Sequence, residues 1–128
     1  MNIIDKASDI VISTQTAYID AQSSAEEKQF VFSYTITIAN QGNEKVQLMT
    51  RRWLITDANG ETATVEGDGV VGQQPVIQPG QSYTYTSGSV FKTPFGIMQG
   101  QYKMLDSQQQ PFDVEIPVFR LTTPNLLH

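Results

Sequence analysis

Apolar and polar residues alternate with period two along most of the chain. In "KQFVFSYTITIAN", Phe30, Phe32, Tyr34, Ile36 and Ile38 share one face and Ser33, Thr35 and Thr37 the other. That is the pattern of a half-buried strand built from aromatic and β-branched residues. A weaker alternation runs from Ser8 to Asp20, and the polar "AQSSAEEK" connects the two. "KVQLMTRRWLITD" predicts a third strand. Strict alternation puts Gln47, Met49, Arg51, Trp53 and Ile55 on one face, and Val46, Leu48, Arg52 and Leu54 on the other. Both faces are partly apolar, which predicts a central position. "DANG" supplies a turn, and "ETATVE" returns as the partner of a hairpin. Beyond it, Pro79-Gly80 marks a turn, and Tyr83 and Tyr85 alternate with Ser82, Thr84 and Thr86. Met98, Gly100, Tyr102 and Met104 line up in the next segment, and Phe112, Val114, Ile116 and Val118 in the last. Pro117 predicts an edge strand or a bulge there, because proline cannot donate to a strand ladder.

No segment carries a helical period. Seven or more strands with turn signals every ten to fifteen residues predict an all-β fold, an antiparallel sandwich. The corner "IQPGQSY" resembles the loop-to-strand corners of immunoglobulin and fibronectin type III domains. A chain of 128 residues suits one domain over 1–128. Its expected core is Trp53, Phe30 or Val31, Ile36, Tyr83, Tyr102 and Phe112. The first and last strands are the expected sheet edges. Unpaired edges can join another chain, so a homodimer is expected.

Composition narrows the function classes. There is no cysteine, which excludes disulfides and thiolate metal sites and fits a reducing compartment. The N-terminal segment lacks the pattern of a secretory signal, and no apolar run is long enough for a membrane helix. A cytoplasmic location without a membrane span is the expectation. Net charge is −5, and only Arg51-Arg52 pairs two of the scattered cations. Nucleic acid is therefore not an expected partner.

The stretch "VEGDGVVG" matches the G-x-G-x-x-G spacing of dinucleotide sites. That motif works by passing from a strand into a helix whose N-terminus meets the pyrophosphate. Here Pro75 and Pro79 follow, and no helix can form. The expectation is a β-connection that uses glycine for backbone freedom. Two ligand chemistries remain candidates. One is a pyrophosphate-containing ligand at Gly67, Asp68, Gly69 and Gly72, with Arg51 and Arg52 as countercharge. The other is a hard cation such as Mg²⁺ or Co²⁺ on Glu66 and Asp68. With His128 as the only histidine, nucleophilic triads and ordinary zinc sites are excluded. No catalytic residue is assigned, and the chain is not expected to be an enzyme. A metal-dependent enzyme would have to work through carboxylates alone.

Taken together, "TRRWLITDANGE", "VEGDGVVGQQPVIQPGQSYTYTSGSVFKTPFGIMQGQYKM" and "FDVEIPVFRL" closely resemble the ApaG family, a likeness that runs over about 11–122. The resemblance implies an immunoglobulin/fibronectin-type sandwich and a small bacterial cytoplasmic protein. It also implies an association with cobalt and magnesium resistance. The same domain in some eukaryotic F-box proteins implies a protein-interaction module. No catalytic residues come with the resemblance.

Overall fold

The computed structural model describes residues 6–124. His128 lies outside them. Eight strands follow in order: β1 Ile10–Tyr18, β2 Phe30–Asn40, β3 Val46–Asp57, β4 Thr62–Asp68, β5 Val76–Ile77, β6 Ser82–Phe91, β7 Phe95–Leu105 and β8 Pro111–Thr122. Two short 3₁₀ turns span Lys6–Asp9 and Asp20–Gln22. All ladders are antiparallel. One sheet has the order β1-β2-β6; the other runs β4-β3-β7-β8, with β5 also paired to β3. The two sheets pack as a sandwich of the immunoglobulin/fibronectin type III-like kind.

β2 realises its alternation without exception: Phe30, Phe32, Tyr34, Ile36, Ile38 and Asn40 are buried, and each intervening residue is half-exposed. β3 does not keep one phase. Its register with β7 shifts between Leu48 and Thr50, so Met49 is an extra residue on β3. Val46 and Leu48 point into the core before this bulge, and Trp53 does so after it. The expectation of Val46 and Leu48 on the face opposite Trp53 is corrected here: a bulge resets the alternation by one residue.

A second bulge acts on β8. The register shifts between Met98 and Gly100 of β7, opposite Phe119 and Ile116, so β8 carries one residue more over that interval. Pro117 and Val118 are consecutively exposed, and Phe119 and Leu121 take the core positions. Val118 is thus outside, not in phase with Ile116. Pro117 satisfies both of its predicted roles, since β8 is a sheet edge and the bulge lies at the proline. Of the expected core, Trp53, Phe30, Ile36 and Tyr102 are buried, whereas Tyr83 and Phe112 are only partly covered.

Aromatic contacts bind the sheets together. Trp53 meets Tyr34 of the facing sheet edge-on at 5.5 Å, and Phe119 edge-on at 5.8 Å. The hydroxyls of Tyr85 in β6 and Tyr102 in β7 share a hydrogen bond of 2.5 Å across the interior. Burial pushes both phenols above their ordinary range, so this strut stays neutral at physiological pH. Buried Asn40 is fully used: its amide donates to Glu44 O and Ile77 O at 2.9 Å each, and its Oδ1 accepts from Gly42 N at 3.0 Å. Asn40 thereby ties the β2–β3 turn to β5.

At one end Lys6 donates to Asp106 and to Glu44, joining the first 3₁₀ turn to the β7–β8 and β2–β3 turns. Asp106 also accepts from Gln108 N at 2.8 Å and Gln110 N at 2.9 Å. The Lys6 ammonium holds the Asp106 carboxyl below its usual range, and Asp106 raises Lys6 in turn. A depressed carboxylate stabilises the fold above its unfolded pKa, and that contribution is lost as pH falls through the folded value. A raised ammonium contributes below its unfolded pKa, and its contribution is lost as pH rises through the folded one. Asp106→Asn is therefore expected to flatten the acid limb of the stability profile below about pH 4, near the ordinary carboxylate pKa. Denaturant midpoints measured from pH 2 to 7 check this.

The indole N–H of Trp53 has no hydrogen-bond acceptor among the described residues. Trp53 therefore contributes through its ring, because an unpaired buried donor only costs free energy. Trp53→Ala is expected to lose about 3–5 kcal/mol. Trp53→Phe, which keeps much of the ring and deletes the orphan donor, is expected to lose less than half of that. Urea unfolding of both variants measures the difference.

Candidate functional site

The glycine stretch begins inside a strand. Gly67 and Asp68 end β4, paired with Arg51 and Thr50 of β3. Gly69 then turns at φ +64, and its N–H donates to Met49 O at 2.8 Å. Val70 and Gln73 exchange both backbone hydrogen bonds, at 2.8 and 3.0 Å. The two residues between them, Val71 and Gly72, have φ of 49° and 77°. Positive φ at both central positions is the signature of a type I′ turn. The expected β-connection, residues 69–75 between β4 and β5, thus folds around a tight two-residue hairpin turn closed by the Val70–Gln73 bridge, with Val70 fully buried. Gln74 donates to Met49 O at 3.0 Å, and Leu48 N to Pro75 O at 3.0 Å. The chain then joins β5 against Val46 and Gln47. The β3 bulge and the glycine loop form one unit: the loop steps from one stretch of the β3 edge to the next, and the bulged Met49 carbonyl anchors both of its ends.

Arg51 and Arg52 diverge, as alternation predicts. The Arg51 side chain lies over Gly67, and its Nη1 donates to Asp68 O at 3.1 Å and Gly69 O at 2.9 Å. A β-carbon at residue 67 would sit 2.9 Å from that nitrogen, so glycine there makes room for the guanidinium. Arg52 faces solvent and pairs with Glu66 at 3.1 Å, both side chains about 60% exposed (61% and 63%). Such a pair is worth little to stability. A cleft of about 390 Å³ on this side is lined by Arg51, Arg52, Glu66, Gly67 and Asp68, with Lys103 at its wall. The structure therefore gathers five of the seven sequence-selected positions; Gly69 and Gly72 do not line the cleft. Lys103 was missed by sequence reasoning and joins through the β3–β7 register, opposite Thr50.

The electrostatics of the loop run against an anion cradle. Phosphate-binding loops turn N–H groups outward. Here the N–H groups of Gly69, Val70 and Gln73 are spent within the fold, and the carbonyls of Asp68 and Gly69 face Arg51. For a cation, Glu66 and Asp68 are the nearby carboxylates, and Glu66 is engaged with Arg52. Among the described residues no three acidic or imidazole groups converge as a metal site would require.

The other sheet presents a different surface. The outward residues of β1 are Val11, Ser13, Gln15 and Ala17. Those of β2 are Val31, Ser33, Thr35, Thr37 and Ala39. Those of β6 are Ser82, Thr84, Thr86, Gly88 and Val90. None is charged, although the chain carries 13 acidic and 8 basic side chains. Thr35 and Thr86 bond hydroxyl to hydroxyl at 2.8 Å, and Thr37 and Thr84 at 3.0 Å. Val11 and Val90 are 43% and 60% exposed at its margins. This face was missed by sequence reasoning. Its signal was present in the polar half of the alternation, where every position is neutral.

Val71 is exposed at the tip of the glycine hairpin, in a conformation that β-branched residues rarely adopt. Val71→Asn, which suits a type I′ turn, is expected to stabilise the chain by about 0.5–1 kcal/mol. Gly69→Val is expected to destabilise strongly, since a β-carbon there would meet Gln73 O at 2.3 Å. Thermal midpoints of the two variants should move in opposite directions.

The family model described as the ApaG domain matches residues 20–106. Protein ApaG of Cronobacter sakazakii is 55% identical over 119 residues, covering 93% of this chain and 95% of its own. Protein ApaG of Escherichia coli is 52% identical over the same shares. Among solved structures, an X-ray structure of a structural genomics target superposes with a TM-score of 0.91 at 51% identity, over 95% of this chain and 92% of that one. An ApaA protein of Bordetella pertussis superposes at 0.88 with 40% identity, over 91% and 94%. Sequence and fold agree over nearly the whole length, and the chain belongs to the ApaG family.

Proposed function

We infer that the chain is a protein-binding module rather than an enzyme, and that it works in the cytoplasm. The observation that carries this reading is the charge-free outer face of the β1-β2-β6 sheet. Charged residues are depleted at the cores of protein interfaces, because each must be stripped of water or matched. A solvent-facing sheet surface ordinarily mixes polar residues with charges, as the other sheet does with Arg52, Glu66, Lys103, Asp113 and Glu115. On the neutral face the threonine hydroxyls already bond each other. Covering them forfeits less hydration than covering free hydroxyls. Charges return in the flanking connections, at Glu26, Glu27 and Lys28 before β2 and Lys92 after β6, which suits a polar rim.

A second reading places a pyrophosphate-containing ligand or a divalent cation in the cleft. The observation in its favour is the gathering of Arg51, Arg52 and Lys103 with Glu66 and Asp68. The inward use of the loop amides and the Arg52–Glu66 pair weigh against it. A link to cobalt and magnesium resistance would belong to this reading if Mg²⁺ or Co²⁺ bound there.

Two measurements decide between them. Calorimetric titration with pyrophosphate, ADP, Mg²⁺ and Co²⁺ is expected to give no saturable heat. Saturable micromolar binding that is lost in Arg52→Ala or Asp68→Asn would install the second reading. Cross-linking in lysate is expected to capture partner proteins with the wild type and to lose them with Thr84→Glu at an unchanged circular dichroism spectrum. Capture indifferent to that charge would sink the module reading at this face.

A further inference from the structure

We propose that the neutral face docks a second copy of this chain, face to face, about a two-fold axis lying in the plane of contact. This rests on the module reading and names one occupant for its surface. The chain carries net charge −5, so contact between two copies is least opposed where neither surface adds a charge of its own to that repulsion. On the β1-β2-β6 face no charge needs a counterpart, and a surface without charges is automatically compatible with itself.

The arrangement of side chains is also self-complementary. Register places Val31 beside Val90 at one end of the face, and Val11 beside Ala39 at the other. Between them lie the hydroxyl pairs Thr35–Thr86 and Thr37–Thr84. An in-plane two-fold axis along the strands brings each end onto itself. An axis across the strands brings each end onto the other. On the central strand β2 both choices set Val31 and Ala39 on one another or on themselves and Thr35 on Thr35, as an isologous contact requires. Small side chains on both surfaces permit the spacing of about 10 Å at which sheets stack.

Size fixes the expected strength. Three strands about 4.8 Å apart, each about ten residues of about 3.3 Å, cover roughly 470 Å² per copy and roughly 900 Å² for the pair. Stable interfaces bury about 1,200 Å² or more, so this dimer exchanges rapidly and depends on concentration.

Analytical ultracentrifugation of the full chain tests the proposal. The weight-average mass is expected to rise from that of one 14.2 kDa chain near 10 µM toward two near 1 mM, a range typical of weak pairs. Thr35 lies on the central strand β2, away from either sheet edge. Thr35→Glu is expected to weaken association at least about tenfold, which is about 1.4 kcal/mol. Thr35→Lys should do the same, and an equimolar mixture of the two should recover association. If position 35 does not tolerate charge by circular dichroism, Ser33→Glu and Ser33→Lys replace the pair, because Ser33 lies opposite Gly88, where a longer side chain has room. A wild type that keeps the mass of one chain to about 1 mM overturns the proposal. So does association unchanged in the charged variants, which would place the contact at an edge strand, or a mixture that fails to recover. A monomeric wild type whose captured partner is still lost in Thr84→Glu overturns self-docking alone and leaves the module reading standing.

Discussion

The β-bulge at Met49 is the constraint on which the rest of the molecule depends. One inserted residue lets β3 bury Val46 and Leu48 at one end and Trp53 at the other. Without it, one of these sets would face solvent, because a single residue of slip exchanges the two faces of a strand. The bulged carbonyl accepts from Gly69 and Gln74, so the glycine hairpin is fastened where the phase changes. The reset also turns Arg51 toward Gly67 and the loop carbonyls, and it turns Arg52 to solvent. Core, loop and cleft thus share one local irregularity.

Across the interior the two sheets are held by different means at different places. The Tyr34–Trp53–Phe119 cluster contributes aromatic area and edge-on geometry. The Tyr85–Tyr102 strut adds a neutral hydrogen bond in the same interior. Asn40 and the Lys6–Asp106–Glu44 contacts close the end where three turns converge. Two types of sheet surface then remain outside. One is mixed in charge and carries the cleft; the other is neutral. This division of labour, more than any single residue, separates a ligand-binding reading from a protein-binding one.

The edges follow the same contrast. β8 is blunted by Asp113, Glu115, Pro117 and a bulge, and β4 ends in Glu66 and Asp68. These are the devices by which sheets avoid pairing with strangers. β1 and β6, which border the neutral face, carry no charged residue at all. The protection is confined to one sheet, and the unprotected sheet is the one that carries the neutral face.

The alternation in the sequence by itself determined the all-β class, most strand positions and most of the core, because side chains on a strand alternate between one buried and one solvated face. The divergence of Arg51 and Arg52 and the double role of Pro117 were legible for the same reason. Asn59-Gly60 and Pro79-Gly80 marked turns through the backbone freedom of glycine, which takes φ of +88° and +80° at these two sites. Only the tertiary structure decided the phase of β3 before Met49, the exposure of Val118, the type I′ turn at Val71-Gly72 and the arrival of Lys103 at the cleft. Each depends on register against a partner strand distant in sequence, and a local pattern holds no record of register. The neutral face lies between these cases. Its residues were visible one strand at a time, but β6 is separated from β2 by three intervening strands, and only the sheet order made them one surface.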